Sequence, residues 1–139
     1  MKTVLTHGVF DVLHIGHIRL LRQAHQLGDA LVVSLLADKW VKLYKRFDRP
    51  IHSLEERIEQ MRAIRYVDEI VVVDGAGHEA VQEMIEMVKP DVYVKGLASK
   101  GTFREEDWVR SQGIQMMFVD MTKVGDTEIS STRILEAFS

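Results

Sequence analysis

Continuous apolar runs alternate along this chain with stretches in which apolar positions recur every three or four residues. The runs are short and rich in β-branched residues, which is typical of strands buried on both faces. They predict strands at Thr3–Thr6, Ala30–Leu36, Glu69–Val73, Asp91–Lys95 and Gln115–Val119. The periodic stretches predict helices at Ile15–Gly28, 53–64, His78–Val88, Glu105–Gln112 and Ile129–Phe138. The charged segment from Asp38 to Pro50 is predicted to be irregular.

This alternation predicts an α/β fold in which helices cover both faces of one parallel sheet. We expect a single Rossmann-like, doubly wound domain over residues 1–139, with five strands in the order 3-2-1-4-5. Ligands of such sheets bind beyond the carboxyl ends of the strands, where the strand order reverses. The loop after the first strand is expected at that point.

The composition is that of an ordinary globular protein. Of the 139 residues, 46% are apolar and 28% are charged, and the net charge is −3. This mild acidity argues against nucleic acid or an anionic membrane as a partner. No apolar run approaches the roughly 20 residues of a membrane-spanning helix. The chain has no cysteine, which excludes disulfides and thiolate metal sites. We therefore expect a soluble, cytoplasmic protein.

The loop after the first strand carries the strongest chemical signal. His14 and His17 are three residues apart, so in the first turn of a helix their side chains fall on one side. There they can donate hydrogen bonds to phosphate oxygens, next to the unpaired N–H groups of the helix start. Gly8 permits close approach of the backbone to a ligand, and Gly16 leaves space beside the helix start. We interpret the pair as a site that stabilises charge on an α-phosphate and a leaving pyrophosphate.

Other interpretations of this loop stay open. Two histidines at this spacing also occur in metal sites, but no third ligand is evident, and we assign no metal ligands. A histidine near a helix start is commonly a cap or a solvated residue. His7 is expected at the strand end, where ligand contact is the minority interpretation. Asp11 either holds the loop in shape, which we favour, or orients a substrate.

A second signal precedes the last predicted helix. It is the segment Ile129-Ser130-Ser131-Thr132-Arg133. Its three consecutive hydroxyls can cap a helix, or they can bind phosphate together with the free N–H groups of the helix start. Arg133 adds a charged donor in the same turn.

Together the two segments resemble the cytidylyltransferase-like nucleotidyltransferases. Residues 8–17 match all six defined positions of the family signature G-x-F-D-x-x-H-x-G-H, and residues 130–132 match its S-S-T element. The resemblance implies catalytic roles for His14, His17, Lys45 and Arg133. It implies nucleotide or phosphate contacts from Gly8, Val9, Phe10, Gly16, Lys95, Gly96, Ile129, Ser130, Ser131 and Thr132.

Within this family the chain looks most like the glycerol-3-phosphate cytidylyltransferases. That resemblance implies that Asp11, Asp38, Arg57 and Arg65 lie near the acceptor. It also makes the region of Arg65 a candidate for the contact of a homodimer. Two of these residues have a structural alternative, because Arg57 can form a surface ion pair with nearby glutamates and Asp38 can cap the next segment.

The resemblance implies transfer of CMP from CTP to a small phosphorylated acceptor such as glycerol 3-phosphate, with release of pyrophosphate. A basic loop that contains Lys45 and Arg46 could close over the triphosphate, and Mg²⁺ would be held mainly by the nucleotide phosphates. The block Pro90–Gly96 looks closer to the adenylyltransferase domain of heptose-phosphate enzymes. Adenylyl transfer from ATP to a sugar phosphate or FMN is therefore the first alternative, and a non-catalytic nucleotide-binding module is the second.

Overall fold

The centre of the molecule is a five-stranded parallel sheet. The computed structural model describes residues 1–44, 50–121, 123–124 and 127–128. The strands are β1 (Thr3–Gly8), β2 (Ala30–Leu36), β3 (Glu69–Val73), β4 (Val92–Gly96) and β5 (Gln115–Val119). Their order is β3-β2-β1-β4-β5, and all neighbours pair in parallel. The predicted α/β fold and strand order are confirmed.

Helices connect successive strands. They are α1 (Ile15–His25), α2 (Asp38–Tyr44), α3 (Leu54–Arg62), α4 (His78–Val88) and α5 (Glu106–Ser111). A short 3₁₀ helix, Leu97–Ser99, follows β4, and the antiparallel strands β6 (Lys123–Val124) and β7 (Thr127–Glu128) follow β5. The predicted helix Ile129–Phe138 lies outside the described residues. Within the described part of the chain, no helix has the length and apolar character needed to cross a membrane.

Two apolar clusters cover the two faces of the sheet. Successive side chains of β1 point to opposite faces, so Val4 packs in the cluster that contains Leu21 of α1, and Leu5 packs in the cluster that contains Met84 of α4. All four of these side chains are fully buried. Because both faces of the central strand are covered, its polar groups can meet a ligand only where the strand ends.

The prediction of an irregular segment after β2 is wrong for residues 38–44, which form α2. The carbonyl of Ala37 accepts hydrogen bonds from the N–H groups of Trp40 and Val41, and the Val41 side chain is fully buried. The Trp40 Nε1 also donates to the carbonyl oxygen of Asp74 at 2.7 Å. This contact is distant in sequence, so the local charge pattern carries no sign of it.

The predicted helix ends are partly confirmed. The capping box of Ser53 and Glu56 is present at the start of α3. Helix α1, however, ends at His25, before Gly28 is reached. A Cβ at Gly28 would lie 2.7 Å from the carbonyl oxygen of Lys2. The close approach of the chain before β1 therefore requires this glycine, and it does not act as the helix stop that the sequence predicts.

Candidate active site

A cavity of about 200 Å³ opens at the carboxyl ends of β1 and β4, where the strand order reverses. We call it the strand-end cavity. Its lining consists of Thr6, His7, Gly8, Val9, Phe10, His17, Leu20, Lys95, Gly96, Ala98, Ser99 and Met121. Half of these residues carry a predicted site role, namely Gly8, Val9, Phe10, His17, Lys95 and Gly96. The structure therefore brings the ends of two neighbouring strands together at the edge where a ligand was expected.

The two histidines of the signature are fixed by the first turn of α1. His14 is the N-cap residue, and its Nδ1 accepts a hydrogen bond from the N–H of Gly16 at 3.0 Å. The Nδ1 of His17 accepts from the N–H of His14 at 3.3 Å. The two rings stack with their centroids 3.8 Å apart. Because each Nδ1 is an acceptor, the neutral rings carry their proton on Nε2 and can donate from it.

Burial keeps both imidazoles neutral. It lowers the pKa of His17 to about 3, and the neighbouring His14 adds to this lowering. Burial also lowers the pKa of His14. A neutral ring can still donate from Nε2 to a phosphate oxygen, and a bound anion raises the pKa of a nearby imidazole. The pair can therefore orient a polyphosphate and stabilise its charge through hydrogen bonds.

Phe10 shapes the wall of the strand-end cavity. Its backbone has a φ of 50°, a left-handed conformation that is uncommon for a bulky residue. Its ring packs edge-on against His17, with the centroids 5.2 Å apart. It also covers Gly8 so closely that a Cβ there would lie 2.9 Å from the ring. Gly8 is therefore required by the position of Phe10 as well as by any ligand.

Two further side chains bring nitrogen atoms to the cavity. The Nδ1 of His7 lies 2.9 Å from the hydroxyl of Ser34. Burial lowers the pKa of His7 to about 4, and the charge of Lys95 adds to this lowering. The Nζ of Lys95 lies 4.5 Å from the centre of the Phe103 ring. Burial lowers the pKa of Lys95, whereas Glu105 acts in the opposite direction. An imidazole and an amine thus lie beside the histidine pair.

The lining includes residues to which the sequence assigns no site role, namely Ser99 and Met121, and it includes His7, for which ligand contact was the minority interpretation. Ser99 ends the 3₁₀ helix after β4, and Met121 follows β5. A Cβ at Gly96 would lie 2.8 Å from the Met121 Sδ, so this glycine makes room for the methionine. A position directly after a strand end is the sequence signal that could have found these residues, since Ser99 and Met121 follow β4 and β5 closely.

Asp11 serves the backbone of a neighbouring segment. Its Oδ2 accepts from the N–H of Ile51 at 2.8 Å, and its Oδ1 accepts from the N–H of His52 at 2.7 Å. The side chain is buried. This arrangement agrees with the interpretation that Asp11 holds the loop in shape, and it does not present the carboxylate to an acceptor.

Asp38 and Arg57 form an ion pair at the same edge of the sheet. The Arg57 Nη2 donates to Asp38 Oδ1 at 2.6 Å, and Arg57 Nη1 donates to the carbonyl oxygen of Val9 at 3.0 Å. The second oxygen of Asp38 accepts from the N–H of Leu54 at 3.2 Å, as in the capping alternative. Arg57 is 0% exposed, so the expected surface ion pair with nearby glutamates is wrong. The guanidinium likewise does not reach the strand-end cavity to contact an acceptor.

Arg65 is not brought to this site. It lies between α3 and β3, where its Nη2 donates to the Tyr66 hydroxyl at 3.1 Å. In a parallel sheet this turn is at the amino ends of the strands, opposite the cavity. Within one chain Arg65 is therefore not brought to the strand-end cavity, and its roles at the acceptor and in a homodimer stay predictions.

Several predicted contacts fall outside the described residues. They are those of Lys45, Arg46, Ile129, Ser130, Ser131, Thr132 and Arg133. Gly16 is described and is buried at the start of α1. No three His, Asp or Glu side chains come together as metal ligands in the described ranges. The expectation that Mg²⁺ is held mainly by the nucleotide phosphates stays a prediction.

The pattern of a known family extends over almost the whole chain. A model of the cytidylyltransferase-like proteins matches residues 5–137, which include the histidine pair and the hydroxyl segment. This chain belongs to the cytidylyltransferase-like family. The resemblance inferred from residues 8–17 and 130–132 is therefore confirmed, and family membership agrees with the nucleotidyltransferase that the sequence predicts.

Curated relatives of two kinds match the chain. The FAD synthase of Thermococcus kodakarensis is 46% identical over 93 residues, which are 67% of this chain and 60% of that protein. The FAD synthase of Thermococcus sibiricus is 34% identical over 142 residues, with 97% of this chain and 93% of that protein covered. The bifunctional protein HldE of Koribacter versatilis is 38% identical over 137 residues, 97% of this chain but 26% of that protein. The chain thus spans less than two thirds of the length of several relatives.

Solved structures show the same fold. The lipopolysaccharide core biosynthesis protein of Thermoplasma volcanium superposes with a TM-score of 0.69 at 28% identity, over 89% of this chain and 98% of that one. Pantothenate synthetase of Thermus thermophilus superposes with a TM-score of 0.72 over 97% of this chain and 61% of that one. At 16% identity, the second likeness concerns the fold alone.

Proposed function

We propose that this protein is a nucleotidyltransferase that transfers AMP from ATP to a small phosphorylated acceptor and releases pyrophosphate. The observation that carries this proposal is the stacked pair of His14 and His17. Their Nδ1 atoms are engaged by the start of α1, which leaves the Nε2 atoms to donate. His17 lines the strand-end cavity, and His14 stacks on His17. Paired donors at a helix start, at the switch point of a parallel sheet, suit a polyphosphate.

In the proposed reaction a phosphate oxygen of the acceptor attacks the α-phosphorus in line. The new O–P bond forms as the bond from the α-phosphorus to pyrophosphate breaks, so no covalent enzyme intermediate is needed. His14 and His17 align the triphosphate and stabilise the charge that develops on the leaving group. Mg²⁺ bound with the triphosphate would add charge neutralisation.

The choice of ATP over CTP is supported by the relatives. FAD contains an AMP unit joined to FMN, so similarity to FAD synthases favours ATP as the donor and FMN as the first acceptor to test. Similarity to HldE, together with the block Pro90–Gly96, favours a sugar phosphate as the second acceptor. The transfer of CMP to glycerol 3-phosphate, which the sequence analysis put first, has less support from these relatives.

The test is a matrix of donors and acceptors. The full chain is incubated with ATP, CTP or GTP and with FMN, heptose 1-phosphate or glycerol 3-phosphate, and pyrophosphate release is measured. We expect release with ATP and one phosphorylated acceptor. Release with CTP alone would replace the adenylyl assignment by cytidylyl transfer.

A binding measurement complements the matrix. The matched triphosphate should raise the melting temperature more than the other two, because a ligand that binds only the folded state stabilises it. Stabilisation by a triphosphate without turnover on any acceptor would instead support a non-catalytic nucleotide-binding module. The absence of both binding and turnover would refute the proposed function.

A further inference from the structure

The side chain of Arg57 is unusual because it is charged and entirely buried. It stands at the end of the first turn of α3 with 0% of its surface exposed. A buried charge is tolerated only where hydrogen bonds or an opposite charge compensate its loss of water. The identity of its partners therefore indicates what the residue does.

Those partners lie in two other segments of the chain. One arm of the guanidinium donates to the carbonyl oxygen of Val9 at 3.0 Å, and the other donates to Asp38 at 2.6 Å. Asp38 in turn accepts from the N–H of Leu54 at 3.2 Å. One planar group thus ties the loop after β1 to the start of α2 and the start of α3. A lysine has a single ammonium and cannot reproduce this fork.

The contact with Val9 leads directly to the histidine pair. Val9 is bonded to Phe10, whose backbone has the left-handed φ of 50°. The Phe10 ring packs on His17 with the centroids 5.2 Å apart. The His17 ring stacks on His14 at 3.8 Å. A shift of the Val9 carbonyl would therefore move the ring that supports His17.

We propose that Arg57 is a positioning residue, which sets the place of His17 through the Val9 carbonyl and the Phe10 ring. This assignment replaces the acceptor contact that family resemblance implies for Arg57, because a fully buried guanidinium with both arms engaged does not meet a substrate. The proposal rests on the proposed nucleotidyl transfer for its kinetic consequences. Its structural consequence, a displaced His17 ring, does not depend on that function.

The kinetic test compares Arg57→Met and Arg57→Lys with Arg62→Met. Arg62 is an exposed arginine of the same helix and serves as the matched control. Using the active donor and acceptor, we expect Arg57→Met to lower kcat by about 10²-fold, since small misplacement of a catalytic group costs about that much. The KM of the acceptor should change less than threefold. Arg57→Lys should recover part of kcat, and Arg62→Met should resemble the wild type.

An NMR measurement tests the same proposal without turnover. The imidazole ¹⁵N signals of His14 and His17 are recorded for each variant in the absence of nucleotide. We expect the His17 signals to move in Arg57→Met and in Asp38→Asn but not in Arg62→Met. If Arg57→Met does not fold, Arg57→Lys and Asp38→Asn provide the same comparison.

Three results would overturn the proposal. The first is a folded Arg57→Met protein with unchanged kcat and unchanged His17 signals. The second is a rise in acceptor KM at constant kcat, which would mean direct contact with the acceptor. The third is unmoved His17 signals in all folded variants. If the wild type has no turnover on any substrate pair, the proposed function fails, and the NMR comparison still decides the role of Arg57.

Discussion

The central sheet uses aspartate in different ways at the two ends of its strands. We call the amino ends of the strands the amino edge and their carboxyl ends the carboxyl edge. At the amino ends of the strands, Asp29, Asp68 and Asp91 are exposed, and each accepts a hydrogen bond from a backbone N–H near a strand start, at 2.6, 2.7 and 2.8 Å. At the carboxyl ends, Asp11 is buried and Asp38 is only partly exposed. There the carboxylates join separate loops to each other around the histidine pair.

This contrast indicates which polar residues can be substituted with little loss of stability. Water can replace an exposed carboxylate as the acceptor of a backbone N–H, so its net contribution to stability is small. Water reaches a buried carboxylate's position less easily, so its removal leaves its N–H partners without a ready acceptor. Substitutions at the amino edge should therefore be mild, whereas those at the carboxyl edge should affect both stability and the site.

Cavity size alone would favour the amino edge. A cavity of about 310 Å³ lies at the amino edge and is lined by Arg62, Val67, Asp68, Glu69 and Ile70. It is larger than the strand-end cavity, but it lies away from the switch point and from the histidine pair. The smaller cavity is the better candidate because its donors are already oriented.

The largest effect is expected from a comparison of histidines at the two edges. His17→Ala removes a phosphate donor and should lower kcat by about 10²–10³-fold, the usual cost of losing one such donor. His25→Ala removes an imidazole at the end of α1, near Asp68, and should leave kcat within about twofold. Pyrophosphate release by both folded variants measures the difference. Equal activities would show that the histidine at the carboxyl edge has no special part in the reaction.

A smaller effect, on stability, is expected from the two classes of aspartate. Asp11→Ala removes a buried acceptor from the N–H groups of Ile51 and His52 and should lower the free energy of unfolding by about 2–4 kcal/mol. Asp29→Ala should cost about 0.5–1 kcal/mol, because water can bond the N–H of the exposed Lys2. Urea unfolding of both variants measures these values. Similar losses would show that burial is not the deciding factor.

Low pH should lower the free energy of unfolding, because the histidines at the carboxyl edge are neutral in the folded protein. The pKa values of His7 and His17 in the folded protein, about 4 and about 3, are below the ordinary value of 6.5. The folded state therefore binds fewer protons, and stability is complete above pH 6.5 and falls as the pH drops towards these lower values. We expect the two histidines together to lower the free energy of unfolding by about 4 kcal/mol between pH 7.5 and pH 5. Unfolding of wild type and of His7→Gln/His17→Gln at both pH values tests this, and identical pH slopes would contradict it.

The smallest effect is expected at Arg65. Its side chain is exposed, and its hydrogen bond and its cation–π contact within the described residues are both with the neighbouring Tyr66. Arg65→Ala should therefore change the free energy of unfolding by less than about 0.5 kcal/mol. The variant should also keep kcat within about twofold if the acceptor site is built by one chain. Sedimentation of the variant tests the predicted homodimer separately. A large loss of activity in a dissociated variant would place Arg65 in a site shared between two chains.

The fold could be predicted because its signals are local. The β-branched runs mark strands, and the pair Ser53 and Glu56 marks the start of α3. The histidine pair could be predicted because both side chains, and the hydrogen bonds of their Nδ1 atoms, belong to one helix start. Helix α2 could not, since it is held by the buried Val41 and by the bond from Trp40 to the Asp74 carbonyl, which no local pattern reports.

Arg57 shows the same limit within the site. From sequence, an arginine among glutamates is equally compatible with a surface ion pair and with a phosphate contact. Its actual partners are an aspartate and a carbonyl oxygen from other segments. The carbonyl oxygen belongs to Val9, whose side chain is apolar. Long-range contacts to the backbone leave no trace in the residue types, so only the folded chain reveals them.

The tautomers of the histidine pair are set by residues 14–17 alone, through two bonds that never leave the first turn of α1. Which nitrogen of each ring can donate is therefore decided locally, whereas the place of the His17 ring also depends on Phe10 outside that turn. Loops that touch neither the helix start nor Phe10 can change in sequence without altering the protonated nitrogen.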